Sequence, residues 1–234
     1  MSMFQQAVNS AKVVSYDEGL RKYMLAVYNY MSIALLISAI SAMGFVYSGL
    51  LMAVINTPLM LVIMFAPLGV SLYMGFKVNN MSFQAARNTM FLYSFLMGLS
   101  LSSILLVFSG SEIFRAFFIT SAMFLSMSIY GYTTKRDLTS FGSFLVMGMF
   151  GLLIASLVNM FTKSNGFSLI VSFLAVLIFT GLTAYNTQEI KKYYRLAPSS
   201  EVAAKYGIMG ALQLYMNFIA IFIHLLNILR STRD

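Results

Sequence analysis

A chain of 234 residues that is 59% hydrophobic and 9% charged has too little polar surface for a water-soluble domain, in which about 45–50% of residues are apolar and about 25% are charged. The mean hydropathy of +0.82 places most of the chain in lipid. The lack of cysteine excludes disulfides and thiolate sites, and the single histidine, His224, excludes a zinc site built from several imidazoles. The net charge of +8 does not indicate nucleic-acid binding, because the basic residues lie at the ends of apolar runs.

Seven apolar runs of about 20 residues follow a polar segment, and each is long enough to cross the hydrocarbon of a bilayer as a helix. They are residues 24–46, 50–76, 89–108, 114–132, 143–161, 167–185 and 207–229. The sequence therefore predicts an all-α integral membrane protein. We expect an N-terminal tail at 1–23, a seven-helix transmembrane domain at 24–229 and a C-terminal tail at 230–234, joined by connections too short to fold by themselves.

Two of these runs carry features that interrupt a simple helix. Pro58 and Pro67 both fall in the second run, which we expect to be kinked or broken. The seventh run contains Gln213, Asn217 and His224. Its polarity leaves open whether it crosses the membrane or dips into it and returns. Between runs six and seven, the polar segment 189–195 is expected to extend the sixth helix until Pro198 ends it.

The distribution of Lys and Arg predicts the orientation of the chain, since basic residues accumulate on the cytoplasmic side. One side receives eleven of the fifteen: Lys12, Arg21, Lys22, Lys77, Arg87, Lys135, Arg136, Lys191, Lys192, Arg195 and Lys205. The other side receives Arg115, Lys163, Arg230 and Arg233. We therefore expect a protein of the inner (plasma) membrane of the cell, with its amino terminus in the cytoplasm. A re-entrant seventh run would satisfy the same rule, so charge does not decide its path.

The polar residues inside the runs gather in the last two. Thr183 and Asn186 lie near the end of run six, while Gln213, Asn217 and His224 recur on one face of run seven. This stripe either lines a water-filled path or bonds across a helix interface, and the residues alone favour the interface. His224 by itself is expected to be a packed or interfacial histidine. No Asp, Glu, Lys or Arg lies in the middle of a run, and no catalytic or nucleotide-binding motif is present, so we predict neither an enzyme nor a cofactor.

Four segments, in order, resemble the Bax inhibitor (transmembrane BAX inhibitor motif) family and its bacterial members most closely. They read GLSLSSI at 98–104, SIYGYTTKRDL at 128–138, GLTAYNTQ at 181–188 and GALQLYMNF at 210–218. The resemblance covers most of the chain. It implies a seven-helix fold with the last helix in the centre, and a calcium leak through the membrane that pH opens and closes.

The resemblance also implies how the family senses pH. The switch is a pair of aspartates, one near the end of the sixth helix and one in the seventh. Asn186 and Asn217 stand at those two positions here. Two neighbouring carboxylates in a low dielectric share a proton and titrate as a pair, whereas an amide is always neutral. Two such replacements indicate either a natural loss of pH sensing or an engineered variant, and we predict that the dyad-based pH response is lost.

Two functions therefore compete at the level of the sequence. The first is a calcium or cation leak, with Asn186 and Asn217 at the switch positions and Thr183, Gln213 and His224 as candidate lining of the path. The second is a membrane interaction protein that regulates a membrane-bound protease or a stress response without ion flux, with contacts carried by the N-terminal tail and the segment 189–206. The partners expected are the lipid bilayer and calcium ions, and in the second case the protease; nucleic acid is not expected.

Overall fold

The computed structural model describes the backbone of residues 3–231 and their side chains from residue 18 onward, and this part of the chain is helical with no strand. The helices are α1 (Met3–Tyr47), α2 (Leu50–Val54), α3 (Pro58–Lys77), α4 (Phe83–Leu101), α5 (Ile104–Val107), α6 (Gly110–Thr133), α7 (Thr139–Thr162), α8 (Asn165–Leu196) and α9 (Ser200–Ser231). Seven spans are long and apolar enough to cross a membrane: α1 from Glu18, α3, α4 with α5, α6, α7, α8 and α9. The predicted seven-helix membrane fold is confirmed.

The helix breaks follow local chemistry. The second predicted run divides into α2 and α3 just before Pro58, because a proline disfavours the helical conformation of its predecessor but fits the first turn of a helix. The third run also divides, which the sequence prediction missed. There Ser102 donates from its hydroxyl to the carbonyl oxygen of Leu99 at 2.6 Å, and such local bonding competes with the regular helix ladder.

The connection predicted at 186–206 is much shorter in the structure. Helix α8 continues to Leu196 and α9 begins at Ser200, so three residues join them. The expected extension of the sixth helix as far as Pro198 is confirmed. The prediction placed the start of the last helix too late, because Glu201 and Lys205 interrupt the apolar run although the segment 200–206 is helical. The Tyr206 ring stacks on Tyr193 at 5.1 Å.

The last helix, α9, is the centre of the bundle. It packs against α1, α4, α6 and α8, while α3 packs on α4 and α7 packs on α8 in outer positions. Its 32 residues are continuous, and about 48 Å of helix is more than enough to cross the hydrocarbon. The unbroken helix favours a full span over a re-entrant dip, and Leu214, Tyr215 and Ile221 near its middle are fully buried.

Short polar side chains tie the inner helices together. The Ser38 hydroxyl of α1 donates to the backbone oxygen of Ser94 in α4 at 2.7 Å and accepts from the Tyr215 hydroxyl of α9 at 2.6 Å. The backbones of α6 and α8 come so close that a Cβ added at Gly131 would overlap the carbonyl oxygen of Ala184. Small residues at such crossings are typical of packing between membrane helices.

Candidate functional site

Two contacts fix how α8 and α9 lie against each other. Near the turn that joins them, Gly210 of α9 faces Ile190 of α8, and an added Cβ at this glycine would press on that side chain. Near the opposite ends of the two helices, the ring Nδ1 of His224 in α9 lies 3.3 Å from the hydroxyl of Ser172 in α8. The two helices are therefore antiparallel neighbours along most of their lengths.

This register places the two asparagines about one helical turn apart along the interface. Asn186 falls at the level of Gln213, while Asn217 lies midway between the two contacts, at the level of Gly181. Four residues of helix correspond to about 6 Å along the axis. Asn217 is 5% exposed, whereas Asn186 and Gln213 are half-buried. The α8–α9 interface thus holds the three amides that the sequence singled out.

The other two predicted lining residues already have bonding partners. Thr183 is fully buried, but its hydroxyl donates to the carbonyl oxygen of Phe179 in its own helix at 2.8 Å. His224 is half-buried and bonds to Ser172, which agrees with the packed or interfacial histidine expected from the sequence. His224 also lies far from the amides, seven residues or about 10 Å along the helix from Asn217.

Helix α6 contributes polar groups that the sequence reading did not place in the site. The hydroxyl of Ser128 lies 3.1 Å from the Thr187 hydroxyl of α8 and 2.6 Å from the Tyr28 hydroxyl of α1. This chain of hydroxyls joins three helices. It continues the polar interface from the amides towards the end of the bundle that carries Lys135 and Lys191, hereafter the basic end.

Thr120 of α6 faces α9 at about the level of Asn217. The ring of Phe218 in α9 packs against Phe117 and Phe124 of α6, with both ring centroids 5.6 Å away. Residues 117, 120 and 124 share one helical face, so Thr120 lies between those two rings and faces α9. It is fully buried.

Thr180 of α8 lies at the same depth. Ala116 of α6 and Val176 of α8 belong to one buried apolar cluster, and further along the Ser128 and Thr187 hydroxyls meet. Thr180 is four residues beyond Val176 and lies on the same face of α8. This position is at the level of Thr120 in α6. Thr120, Thr180 and Asn217 therefore form a three-helix polar cluster among α6, α8 and α9.

Beyond this cluster, away from the basic end, the interface becomes apolar. Ala116, Val176 and Ile221, one from each of α6, α8 and α9, form a buried apolar layer together with two leucines of α9. Farther out comes the His224–Ser172 bond, followed by a surface cavity of about 470 Å³. The cavity is lined by Asn165, Ser168, Leu169, Asn227, Arg230 and Ser231. The apolar layer thus separates two polar regions of the same interface.

At the basic end, the α6–α7 loop is fastened to α8. The Gln188 side chain accepts from the backbone N–H of Leu138 and donates to the carbonyl oxygen of Arg136, both at 2.8 Å. Lys191 donates to the carbonyl oxygen of Tyr132 at 3.0 Å and lies over its ring. These bonds hold the loop across the end of the polar interface.

A charged network completes this fastening. Lys192 lies 3.1 Å from Asp137 and 2.8 Å from Glu189. Hydrogen bonds from Thr139, followed by the one from Lys192, lower the pKa of Asp137 to about 2. The carboxylate is therefore charged throughout the physiological range. Surface ion pairs of this kind contribute little stability, so we attribute the fixed loop mainly to Gln188.

Ionisable side chains are missing from the buried polar set of residues 18–231. That set consists of Ser38, Ser41, Ser94, Ser102, Thr120, Ser128, Ser172, Thr183, Thr187, Gln188 and Asn217. Within the same residues, no group of three or more His, Asp or Glu side chains is placed to hold a metal ion. The site is accordingly a neutral polar interface, suited to hydrogen bonding with water, with neighbouring amides or with a hydrated ion.

The fold and this interface define a multi-pass α-helical membrane protein with neutral polar residues around a central helix. The family model described as "Inhibitor of apoptosis-promoting Bax1" matches residues 20–234. The inner membrane protein YbhL of Escherichia coli K12 is 37% identical over 228 residues, which cover 96% of this chain and 97% of YbhL. An uncharacterized protein of Rickettsia prowazekii is 44% identical over 226 residues, 96% of each chain. The chain belongs to the Bax inhibitor family.

Proposed function

We propose that the α6–α8–α9 interface is the path of a calcium or other cation leak, and that this leak has lost the pH response of the family. The observation that carries the proposal is the set of buried polar residues aligned along one interface of the central helix. A polar group at membrane depth is expensive, and such groups mark ion and substrate pathways in membrane proteins. The family resemblance supplies the expectation of calcium.

The loss of pH sensing follows from Asn186 and Asn217. A pair of aspartates near each other changes charge with pH, and that change can bias two conformations of the helices. Amides keep the same charge at every pH, so they supply no such bias. They also offer a carbonyl dipole where a carboxylate would offer a full charge, so we expect weaker attraction of a divalent cation.

In the arrangement described here, the proposed path is closed. A hydrated cation coming from the cavity near Arg230 meets the apolar layer at Ile221, where water is excluded. From the other side it meets the α6–α7 loop held by Gln188. Opening therefore requires that α6 or α8 move relative to α9, a helix shift of the kind that gates other membrane proteins.

The cellular setting is proposed from two sources. The relative YbhL is named an inner membrane protein, and we propose the same membrane for this chain. We propose that the basic end, with Lys135 and Lys191, lies in the cytoplasm, because eleven of the fifteen basic residues are predicted on that side.

Calcium uptake by liposomes that contain the purified chain tests the proposal. We expect uptake above that of protein-free liposomes, with a rate that is flat between pH 6 and pH 8. No uptake at any pH contradicts the leak. If the chain instead captures a membrane protease after cross-linking, the regulatory function replaces it.

A further inference from the structure

Three buried polar atoms at one depth have no hydrogen-bond partner among the described residues. They are the Thr120 hydroxyl, the Thr180 hydroxyl and the amide nitrogen Nδ2 of Asn217. A threonine in a membrane helix usually satisfies its hydroxyl by donating to the carbonyl four residues earlier, as Thr183 and Thr187 do at 2.8 Å. Thr120 and Thr180 do not make this bond.

Helical spacing places the three residues at one depth of the α6–α8–α9 interface, which is the arrangement that one shared partner requires. Thr120 lies between the two α6 rings that contact Phe218. Phe218 follows Asn217 directly in the sequence. Thr180 is on the face of α8 that meets α6. An unpaired buried polar group destabilises a fold by about 1–3 kcal/mol, and three together require a shared explanation.

We propose that a single bound water molecule bridges Thr120, Thr180 and Asn217. Buried waters typically make about three hydrogen bonds to groups that lack other partners, which matches the number and the mixed donor and acceptor character of this cluster. Water can accept from the amide N–H of Asn217 and from one threonine hydroxyl, and it can donate to the oxygen of the other. The proposal concerns the resting structure and does not depend on whether ions pass.

A cation does not fit this position as a resident ligand. The cluster offers two hydroxyl oxygens and an amide, and the buried polar set of residues 18–231 contains no carboxylate to balance a charge. Burying an unpaired ion is far more costly than burying a neutral molecule with three hydrogen bonds. The charge balance therefore assigns the site to water.

The direction in which a Thr→Val substitution shifts Tm tests the proposal, because valine has the shape of threonine without the hydroxyl. If water bridges the site, T120V removes a hydrogen bond, and we expect Tm to fall by about 2–4 °C in thermal unfolding of the detergent-solubilised chain. If the hydroxyl is truly unpaired, the same change removes a buried polar group at no loss, and Tm rises. A rise for T120V or T180V overturns the proposal.

A double variant and a control complete the test. Both threonines act through the same molecule, so T120V/T180V should lower Tm by less than the sum of the single changes; additive shifts contradict a shared water. The control is T89V, since Thr89 of α4 is half-buried but already donates to the Ala85 carbonyl oxygen at 2.8 Å. We expect its Tm to stay within about 1 °C of the unaltered chain.

A direct observation is independent of stability and of ion flux. In an experimental structure that resolves ordered waters, density should lie within about 3.2 Å of all three atoms. A resolved interface without density at this point would refute the proposal, even if the leak itself were demonstrated.

Discussion

Replacing Ile221 by serine tests whether the apolar layer blocks the proposed path. Ile221 is fully buried against Ala116 and Val176, where a hydrated ion would have to pass. Burying an isoleucine side chain stabilises it by about 1.5–3 kcal/mol relative to leaving it in water. We take this as the amount by which I221S lowers the free-energy cost of hydrating the apolar layer. Because each 1.36 kcal/mol corresponds to a tenfold change in rate, calcium flux should rise by about 10- to 150-fold.

The assay is calcium uptake into liposomes, measured with an indicator trapped inside and normalised to the amount of folded chain. A serine in the core also weakens packing, so the matched control is M90S. Met90 is equally buried but belongs to α4, outside the α6–α8–α9 interface. Equal flux in I221S and the unaltered chain, or an equal rise in both variants, would refute the assignment of the layer as the barrier.

Three further predictions concern the packing and the loop at the basic end. G131A should lower the free energy of unfolding by about 1–3 kcal/mol, because the added Cβ overlaps the backbone of Ala184. The control G151A in α7 places its Cβ in open space and should leave that free energy nearly unchanged. Denaturant titration measures both. Q188L should speed hydrogen exchange at the Leu138 amide, which loses its acceptor; unchanged exchange would contradict the bond. The lowered pKa of Asp137 means that its contribution to stability is present above about pH 4 and is lost as pH falls towards 2. Protection of the α6–α7 loop, corrected for intrinsic exchange rates, should therefore be constant between pH 5 and pH 8.

Hydropathy was sufficient to predict the seven spans, because lipid demands long apolar helices and leaves few alternatives. The break before Pro58 could also be predicted, since proline acts through its own covalent geometry. The division after Leu101 could not, because it depends on how Ser102 bonds to the backbone. Likewise, the early start of α9 at Ser200 lies in a mixed segment, whose Glu201 and Lys205 lower its hydropathy below that of a span.

The site was predicted in part. Helical spacing predicts Gln213 and Asn217 on one face of the last helix, and two other residues of that face, Gly210 and His224, contact α8 in the structure. The contribution of α6 was missed, because Thr120 and Ser128 are isolated small polar residues in a long apolar run. Nothing in their local sequence shows that they face α9 or α8, since that depends on how the helices pack.

The proposed leak and its loss of pH response rest on Asn186 and Asn217, and these two positions allow the most direct test. Calcium flux should be measured between pH 6 and pH 8 for the unaltered chain and for the variant N186D/N217D. We expect a flat profile for the chain and a steep titration for the variant, whose two carboxylates share a proton. A steep titration in the unaltered chain, or a flat profile in the variant, would contradict the account.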